Sequence, residues 1–338
     1  MTPTLKLSVV IPCFNRAGYL AECLASIEPA ADDTWELLVV DDGSTEDIRG
    51  VVAHFRRVRY LWQANQGTGA ARNTAIQVAR GEYLCFLDSD DLLLSPEGLR
   101  REIAILDARP EVGLVYSQAV TIDQHGRAFG VQKPAFARNS YVRSGHAELV
   151  DLLLLGNYLP LSGTLVRRSV FDRAGPFRTD LSGPEDWDCW LRIARLASVA
   201  YLAEPVTAYR VHTDSITGAW SRDLARFVRK HVDIVESLFE DDETAARYAG
   251  LRRKIDGRIF ATAAEAAYGS EQMGLARRYT SQALACALPE RQWALTRECA
   301  WLAGKSIVPP GIRRVLRATR RWWRVSVVGR RAAQAAYL

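Results

Sequence analysis

Over its first 111 residues the chain alternates short β-branched or aromatic runs with stretches of helical character, and every strand-like run stops at a polar, turn-forming segment. The runs cover residues 7–11, 36–40, 58–62 and 82–87. Strands separated by helices must enter a sheet in the same direction, because the helix carries the chain back across one face before the next strand begins. Such strands are buried on both faces, which is why Val9-Val10-Ile11 is continuously apolar instead of alternating. The helix signals agree: Ser44 with Asp47 three positions on is a capping-box-like start, and Ser95 followed by Pro96 reads as an N-cap with proline in the first turn.

In a sheet of this kind ligands bind at the carboxyl ends of the strands, where the strand order reverses. Those ends read Pro12-Cys13-Phe14-Asn15, Asp41-Asp42-Gly43-Ser44, residues 63–67, and Asp88-Ser89-Asp90-Asp91. Further strand-like runs at 112–120, 161–166 and 197–202 complete the same core. From Trp220 the pattern is helical and rich in Ala and Arg, and residues 263–288 resemble a single helical hairpin of the tetratricopeptide kind. One copy does not build a solenoid. At 338 residues the chain exceeds what one core of roughly 250–300 residues holds, so two parts are expected: an α/β domain over 1–218 and a helical appendage over 219–338.

Six scattered cysteines, with no CxxC pair, read as reduced thiols of a cytoplasmic protein and not as a zinc site or a disulfide frame. Residues 1–6 lack the basic start and apolar stretch of a signal peptide, and the longest apolar runs, such as 152–155, fall far short of the ~20 residues that span a bilayer. Beyond Glu298 no acidic residue occurs, while Arg313, Arg314, Arg317, Arg320, Arg321, Arg324, Arg330 and Arg331 crowd the end. This basic tail, interleaved with Trp322 and Trp323, suits either a helix lying on the anionic inner face of a membrane or one packed on the rest of the chain. No nucleic-acid recognition module accompanies the charge, so nucleic acid is not expected as a partner.

Three constellations carry chemistry. Asp88, Asp90 and Asp91 crowd one turn after a buried strand; read alone the turn is solvated, but such crowding is costly without a cation, and hard oxygens suit Mg²⁺ or Mn²⁺. Gly67-Thr68-Gly69-Ala70-Ala71-Arg72-Asn73 opens a helix with small residues, and Arg72 supplies a fork suited to phosphate or base oxygens. Glu185 and Asp186 begin another helix, where an acidic pair either complements the dipole or supplies a general base for an alcohol nucleophile. His212 ends a strand-like run and reads as structural or as a ligand of the metal or diphosphate.

In type, order and spacing the chain resembles the family 2 glycosyltransferases of the GT-A fold, from Leu7 to about Ser215. The resemblance rests on Val9-Val10-Ile11-Pro12-Cys13-Phe14-Asn15, Val40-Asp41-Asp42-Gly43-Ser44, Gly69-Ala70-Ala71-Arg72-Asn73, the DXD-containing Asp88-Ser89-Asp90-Asp91, and Glu185-Asp186-Trp187. It implies a mainly parallel central sheet flanked by helices, with 1–111 as the nucleotide-binding half and 112–218 as the acceptor half. It implies that Pro12, Phe14, Asn15, Asp42, Arg72 and Asp88 serve the nucleotide, that Asp90 or Asp91, with His212, binds the metal, and that Asp186, beside Glu185, is the base. The reaction implied is inverting transfer from a nucleotide-diphosphate sugar, UDP first with dTDP and GDP open, to a glycan or lipid-linked acceptor in cell-surface polysaccharide or glycolipid assembly. The Gln-x-x-Arg-Trp segment and membrane helices of processive members are not evident. The alternatives are a sugar nucleotidyltransferase, which normally shows a Gly-rich, Lys-containing loop after the first strand, and a non-catalytic carbohydrate-binding protein.

The tail makes its own prediction. Each Arg near an anionic surface contributes about 1 kcal/mol at most, within a Debye length. Removing residues 311–338 is expected to abolish salt-sensitive sedimentation with anionic vesicles, with neutral vesicles as control. Donor hydrolysis should continue, because every candidate site residue precedes Ser215. Indifference of the intact protein to anionic vesicles at low salt refutes the membrane reading.

Overall fold

A computed structural model describes residues 5–212, 223–289 and 292–307. The chain divides into two compact units, Met1–His212 and Thr213–Leu338.

The first unit begins with β1 (Leu7–Cys13), α1 (Ala17–Ile27), β2 (Trp35–Asp42), α2 (Ile48–Val52), β3 (Val58–Gln63), α3 (Thr68–Val78) and β4 (Tyr83–Phe86). These strands lie in the order β3-β2-β1-β4, all parallel, as the alternation predicts. Every residue of β1 and β2 is buried, the mark of strands covered on both faces. Leu7, Val9 and Ile11 join Leu20, Cys23, Leu24 and Ile27 of α1 in one apolar cluster.

The chain continues with β5 (Leu92–Leu93), α4 (Pro96–Ala108), β6 (Val112–Ile122), β7 (Ala128–Gln132), β8 (Tyr141–Arg143), α5 (Gly145–Leu155), β9 (Leu165–Arg167), α6 (Arg168–Ala174), α7 (Glu185–Ala194) and β10 (Ser198–Arg210). The sheet runs on from β4 as β9-β6-β10-β5, with β7 on β6 and β8 on β10. Here it becomes mixed. The long β6 and β10 pair is parallel, while β9 is antiparallel to both β4 and β6. A three-residue strand can slot in against the prevailing direction because it needs no crossover helix to reach its place. The β10 register shifts on both sides of Pro205, a residue with no N–H for the ladder, and the bulged strand ends at Arg210 beside the site.

Ser95 caps α4 as expected, its Oγ accepting the Gly98 N–H at 2.9 Å. The start expected at Ser44 is corrected: α2 is capped by Asp47, which accepts the Gly50 N–H at 2.8 Å. The helix begins later because residues 44–46 are held in a turn by Asp41, which accepts the Ser44 N–H at 2.8 Å, and by Asn15, which accepts the Thr45 N–H at 2.9 Å.

The second unit contains α8 (Leu224–Phe239), α9 (Asp242–Tyr248), α10 (Arg252–Gly269), α11 (Met273–Ala287) and α12 (Trp293–Ile307). Helices α10 and α11 approach closely through small residues, Ala263, Ala264 and Ala267 sharing a buried cluster with Ala276 and Tyr279. No described helix is long and apolar enough to cross a membrane. The arginine-rich tail, on which the membrane expectation rests, lies outside the described residues.

Candidate active site

The loop after β1 is sewn to the loop after β2. Asn15 and Arg16 both take left-handed backbone conformations, φ 56° and 65°, uncommon for residues with a Cβ. The Asn15 N–H donates to Ser44 Oγ at 2.7 Å, and Glu46 accepts the N–H groups of Arg16 and Ala17 at 3.1 and 2.8 Å, capping α1 from a neighbouring loop. Pro12 is buried beneath this seam, and Phe14 stands on it 47% exposed. Asp42 is buried and accepts three donors, Gln63 Nε2 at 2.7 Å, the Gln66 N–H at 2.9 Å and the Gly67 N–H at 2.8 Å. Its carboxylate therefore shapes the loop that leads into α3, where Gly67 has φ 89°.

Beyond β4, one oxygen each of Asp88, Asp90 and Asp91 lies within 4.8 Å of the others. Burial and the neighbouring carboxylates push Asp91 well above the usual carboxylate range. Burial also raises Asp88, opposed by Arg72. Asp91, 1% exposed, accepts the Ser162 hydroxyl and the Arg210 N–H, the latter at 2.7 Å. Asp90 is paired with the Arg16 guanidinium and meets His212 Nε2 at 2.8 Å. Arg210 is itself buried: its Nε donates to the Asp90 carbonyl at 2.8 Å, its Nη2 to Glu22 at 2.6 Å, and its guanidinium covers the Tyr19 ring at 4.6 Å. Three close carboxylates, two of them disfavoured as anions, form a hard-oxygen donor set that fits a divalent cation.

Across from this cluster, α7 opens with the acidic pair. Arg72, 3% exposed, lies between them: Nη2 donates to Asp88 at 2.7 Å and Nη1 to Glu185 at 2.9 Å. Glu185 also accepts the Thr68 hydroxyl at 2.9 Å and the Gly183 N–H. Burial works against its charge, but Arg72 and these donors outweigh it and hold Glu185 below the usual range. Asp186 is the opposite case. Burial, then the neighbouring Glu185 charge, push it up to about 7, against the pull of Arg72, the Trp187 N–H and Asn157. Asp188, the third acid of the segment, turns to Arg192 at 2.7 Å and stays out of the group. Two adjacent carboxyls thus sit in opposed protonation regimes, the pattern that separates an anchoring anion from a proton acceptor.

Of the site residues expected from the sequence, all but Arg72 lie at these strand ends or at the α7 start; Arg72 stands within α3 and joins the two groups. Asp42 directs its carboxylate to groups of the chain itself, as Arg72 does its two terminal nitrogens, while Arg72 Nε has no partner among the described residues. Sequence reasoning missed Arg16, Asn157, Ser162 and Arg210, which stand outside the motifs. Only Arg210 left a signal, as a cation two residues before His212 in the strand-like run that His212 ends.

A mixed α/β sheet with acidic strand ends and a separate acidic helix start has the architecture of the GT-A fold. The family model described as glycosyl transferase family 2 matches residues 8–173, a little under half of the chain, which identifies this segment as a family 2 glycosyltransferase domain. It is 29% identical over 229 residues to an uncharacterized glycosyltransferase of Nostoc sp., covering 62% of this chain and 65% of that protein. It is also 29% identical over 233 residues to the putative glycosyltransferase EpsH of Bacillus subtilis, covering 66% of this chain and 65% of EpsH. The match thus spans somewhat less than two thirds of these curated relatives. In fold it is similar to residues 1–349 of S. aureus TarS, with TM-score 0.60 and 19% identity over 86% of this chain and 83% of that one. The complex of the same TarS fragment with UDP-GlcNAc gives TM-score 0.57 and 17% identity over 88% and 89% of the two chains.

The Asp186 carboxyl has a measurable signature in stability. Unfolded, it titrates near 3.8, and folded at about 7. Between those values the folded state holds a proton that the unfolded state has lost, so stability falls as pH rises through this window and stays lowered above it. Asp186→Asn is expected to gain on the order of 1 kcal/mol over wild type at pH 8 and nothing at pH 4, read by urea denaturation. An equal difference at both pH values refutes the raised titration.

Proposed function

We propose that this glycosyltransferase moves a sugar from a nucleoside-diphosphate donor, with UDP as the nucleotide, onto an acceptor hydroxyl with inversion at the anomeric carbon, and that it depends on Mn²⁺ or Mg²⁺. The observation that supports this reading best is the linkage Asp88, Arg72, Glu185, which joins the acidic strand end to the α7 start that carries Asp186. A divalent cation held by Asp90 and Asp91, with His212 beside them, would supply charge neutralisation for the departing diphosphate.

The remaining roles belong to the chain. Phe14 offers an exposed ring to the nucleobase over buried Pro12, while Asn15 and Asp42 hold the neighbouring loops in place. Asp88, oriented by Arg72, faces the nucleotide. Asp186 takes the proton of the acceptor hydroxyl as its oxygen bonds to the anomeric carbon and the bond from that carbon to the diphosphate oxygen breaks. A carboxyl titrating at about 7 suits that task, being a stronger base than an ordinary aspartate while still largely ionised at slightly alkaline pH. The likeness to a fold seen with UDP-GlcNAc makes UDP sugars the first donors to test. The acceptor is proposed to be a glycan or a lipid-linked glycan in cell-surface polysaccharide or glycolipid assembly, met at the inner face of the cell membrane.

Calorimetric titration of UDP with Mn²⁺ present is expected to show binding that EDTA abolishes, and that Asp90→Asn and Asp91→Asn weaken. Equal affinity with and without EDTA removes the metal from the reading. Asp186→Asn is expected to keep UDP affinity and to lower donor turnover by about 10²–10⁴-fold. Turnover near the wild-type rate places the base elsewhere.

A further inference from the structure

A loop outside every sequence motif touches both halves of this machinery. Residues 156–164 connect α5 to β9. Near the start of the loop, Asn157 Nδ2 donates to Asp186 Oδ2 at 2.8 Å, while the Trp187 N–H holds Oδ1 at 2.7 Å. Near its end, Ser162 Oγ donates to Asp91 and accepts the Asp88 N–H at 3.1 Å. Between them the loop is tied down. The Tyr158 hydroxyl donates to buried Glu148 of α5 at 2.9 Å, Leu159 and Pro160 are buried, and the Ser162 carbonyl accepts Thr207 Oγ1 of β10 at 3.0 Å. Asn157 therefore bonds the carboxylate from a fixed point on the chain, the same segment that braces the acidic cluster.

We propose that Asn157 is a positioning residue for Asp186: by donating to Oδ2 it fixes the plane of the carboxylate and favours its ionised form, leaving the lone pairs not used by Asn157 and Trp187 to receive the acceptor hydroxyl. This rests on the reading of Asp186 as the base. Asn157 is exposed, so its bond to Asp186 is not a by-product of core packing. The charged groups that bear on Asp186 are Glu185 of its own helix, which disfavours its charge, and Arg72 of α3, which favours it. An amide adds a donor to this balance without adding charge. A carboxylate in the same place would oppose ionisation.

The test uses the full chain with Mn²⁺ and UDP. The Asp186 titration is read by infrared difference of ¹³C-aspartate-labelled protein against Asp186→Asn. Loss of a hydrogen bond to the charged form is expected to raise the midpoint by about one unit in Asn157→Ala, with a larger rise in Asn157→Asp. Asn157→Gln, which keeps an amide donor, is expected to recover part of the shift. With UDP-GlcNAc as the hydrolysis probe, the alkaline-rising limb of turnover should move by the same amount while UDP affinity holds. An unchanged midpoint in Asn157→Ala and Asn157→Asp proteins that still bind UDP overturns the inference. Failure of the base assignment looks different: Asp186→Asn then keeps its turnover, whatever the Asn157 variants do to the midpoint.

Discussion

The arrangement of the site depends on one buried guanidinium. Arg72 is enclosed by the protein and spans two carboxylates from elements far apart in sequence, Asp88 at the end of β4 and Glu185 at the start of α7. The guanidinium also lies over the Phe177 ring, 5.6 Å from its centre. Taking Arg72 and Glu185 wholly, and Asp88 partly, out of water carries a desolvation cost comparable to their attraction, so the triad is poor evidence of net stability. Breaking it is another matter. A buried carboxylate left without its cation costs about 3–5 kcal/mol, so the two elements are held in one relation or the site comes apart. The planar fork matters here, since a lysine offers a point charge and cannot direct two separate N–H groups at two acceptors.

From that fixed pair the other parts follow by electrostatics. Glu185 takes the favourable field of Arg72 and remains an anion, and burial, with the Glu185 charge added to it, keeps Asp186 from ionising at an ordinary aspartate pH. Adjacent residues of one helix turn thereby acquire different chemistry with no cofactor involved. The acidic strand end is built on the same logic, with the Arg16 guanidinium offsetting part of its charge and His212 and the Arg210 N–H hydrogen-bonded to it. What remains uncompensated there is what a hard cation would satisfy.

The parallel half of the sheet was legible because the rules that create it are local: strand length, apolar continuity and a helix between each pair. The residues at its strand ends were legible for the same reason, since topology fixes where they gather. The antiparallel entry of β9 was not, because three residues of Leu165-Val166-Arg167 carry no periodicity that reveals direction. Asp42 and Arg72 were read as facing a ligand, and sequence pattern had no means of showing how many donors and acceptors of the chain itself reach them. Asn157 was hidden more thoroughly. Its importance is a distance to Asp186 across a loop, and nothing in the composition of that loop encodes it.

The placement of β9 also bears on how the chain comes to be made. Strand β4 ends at Phe86, yet the partner that covers its outer edge begins at Leu165, with α4, β6 and α5 between them. During synthesis at ~5–20 residues per second, that edge of a growing parallel sheet stays unpaired for on the order of ten seconds. Its Tyr83-Leu84-Cys85-Phe86 segment is apolar and open to strand pairing with another chain for that interval. The nascent protein is therefore open to misassociation along this edge until β9 has been made, and a chaperone that shields the edge of β4 would cover that interval.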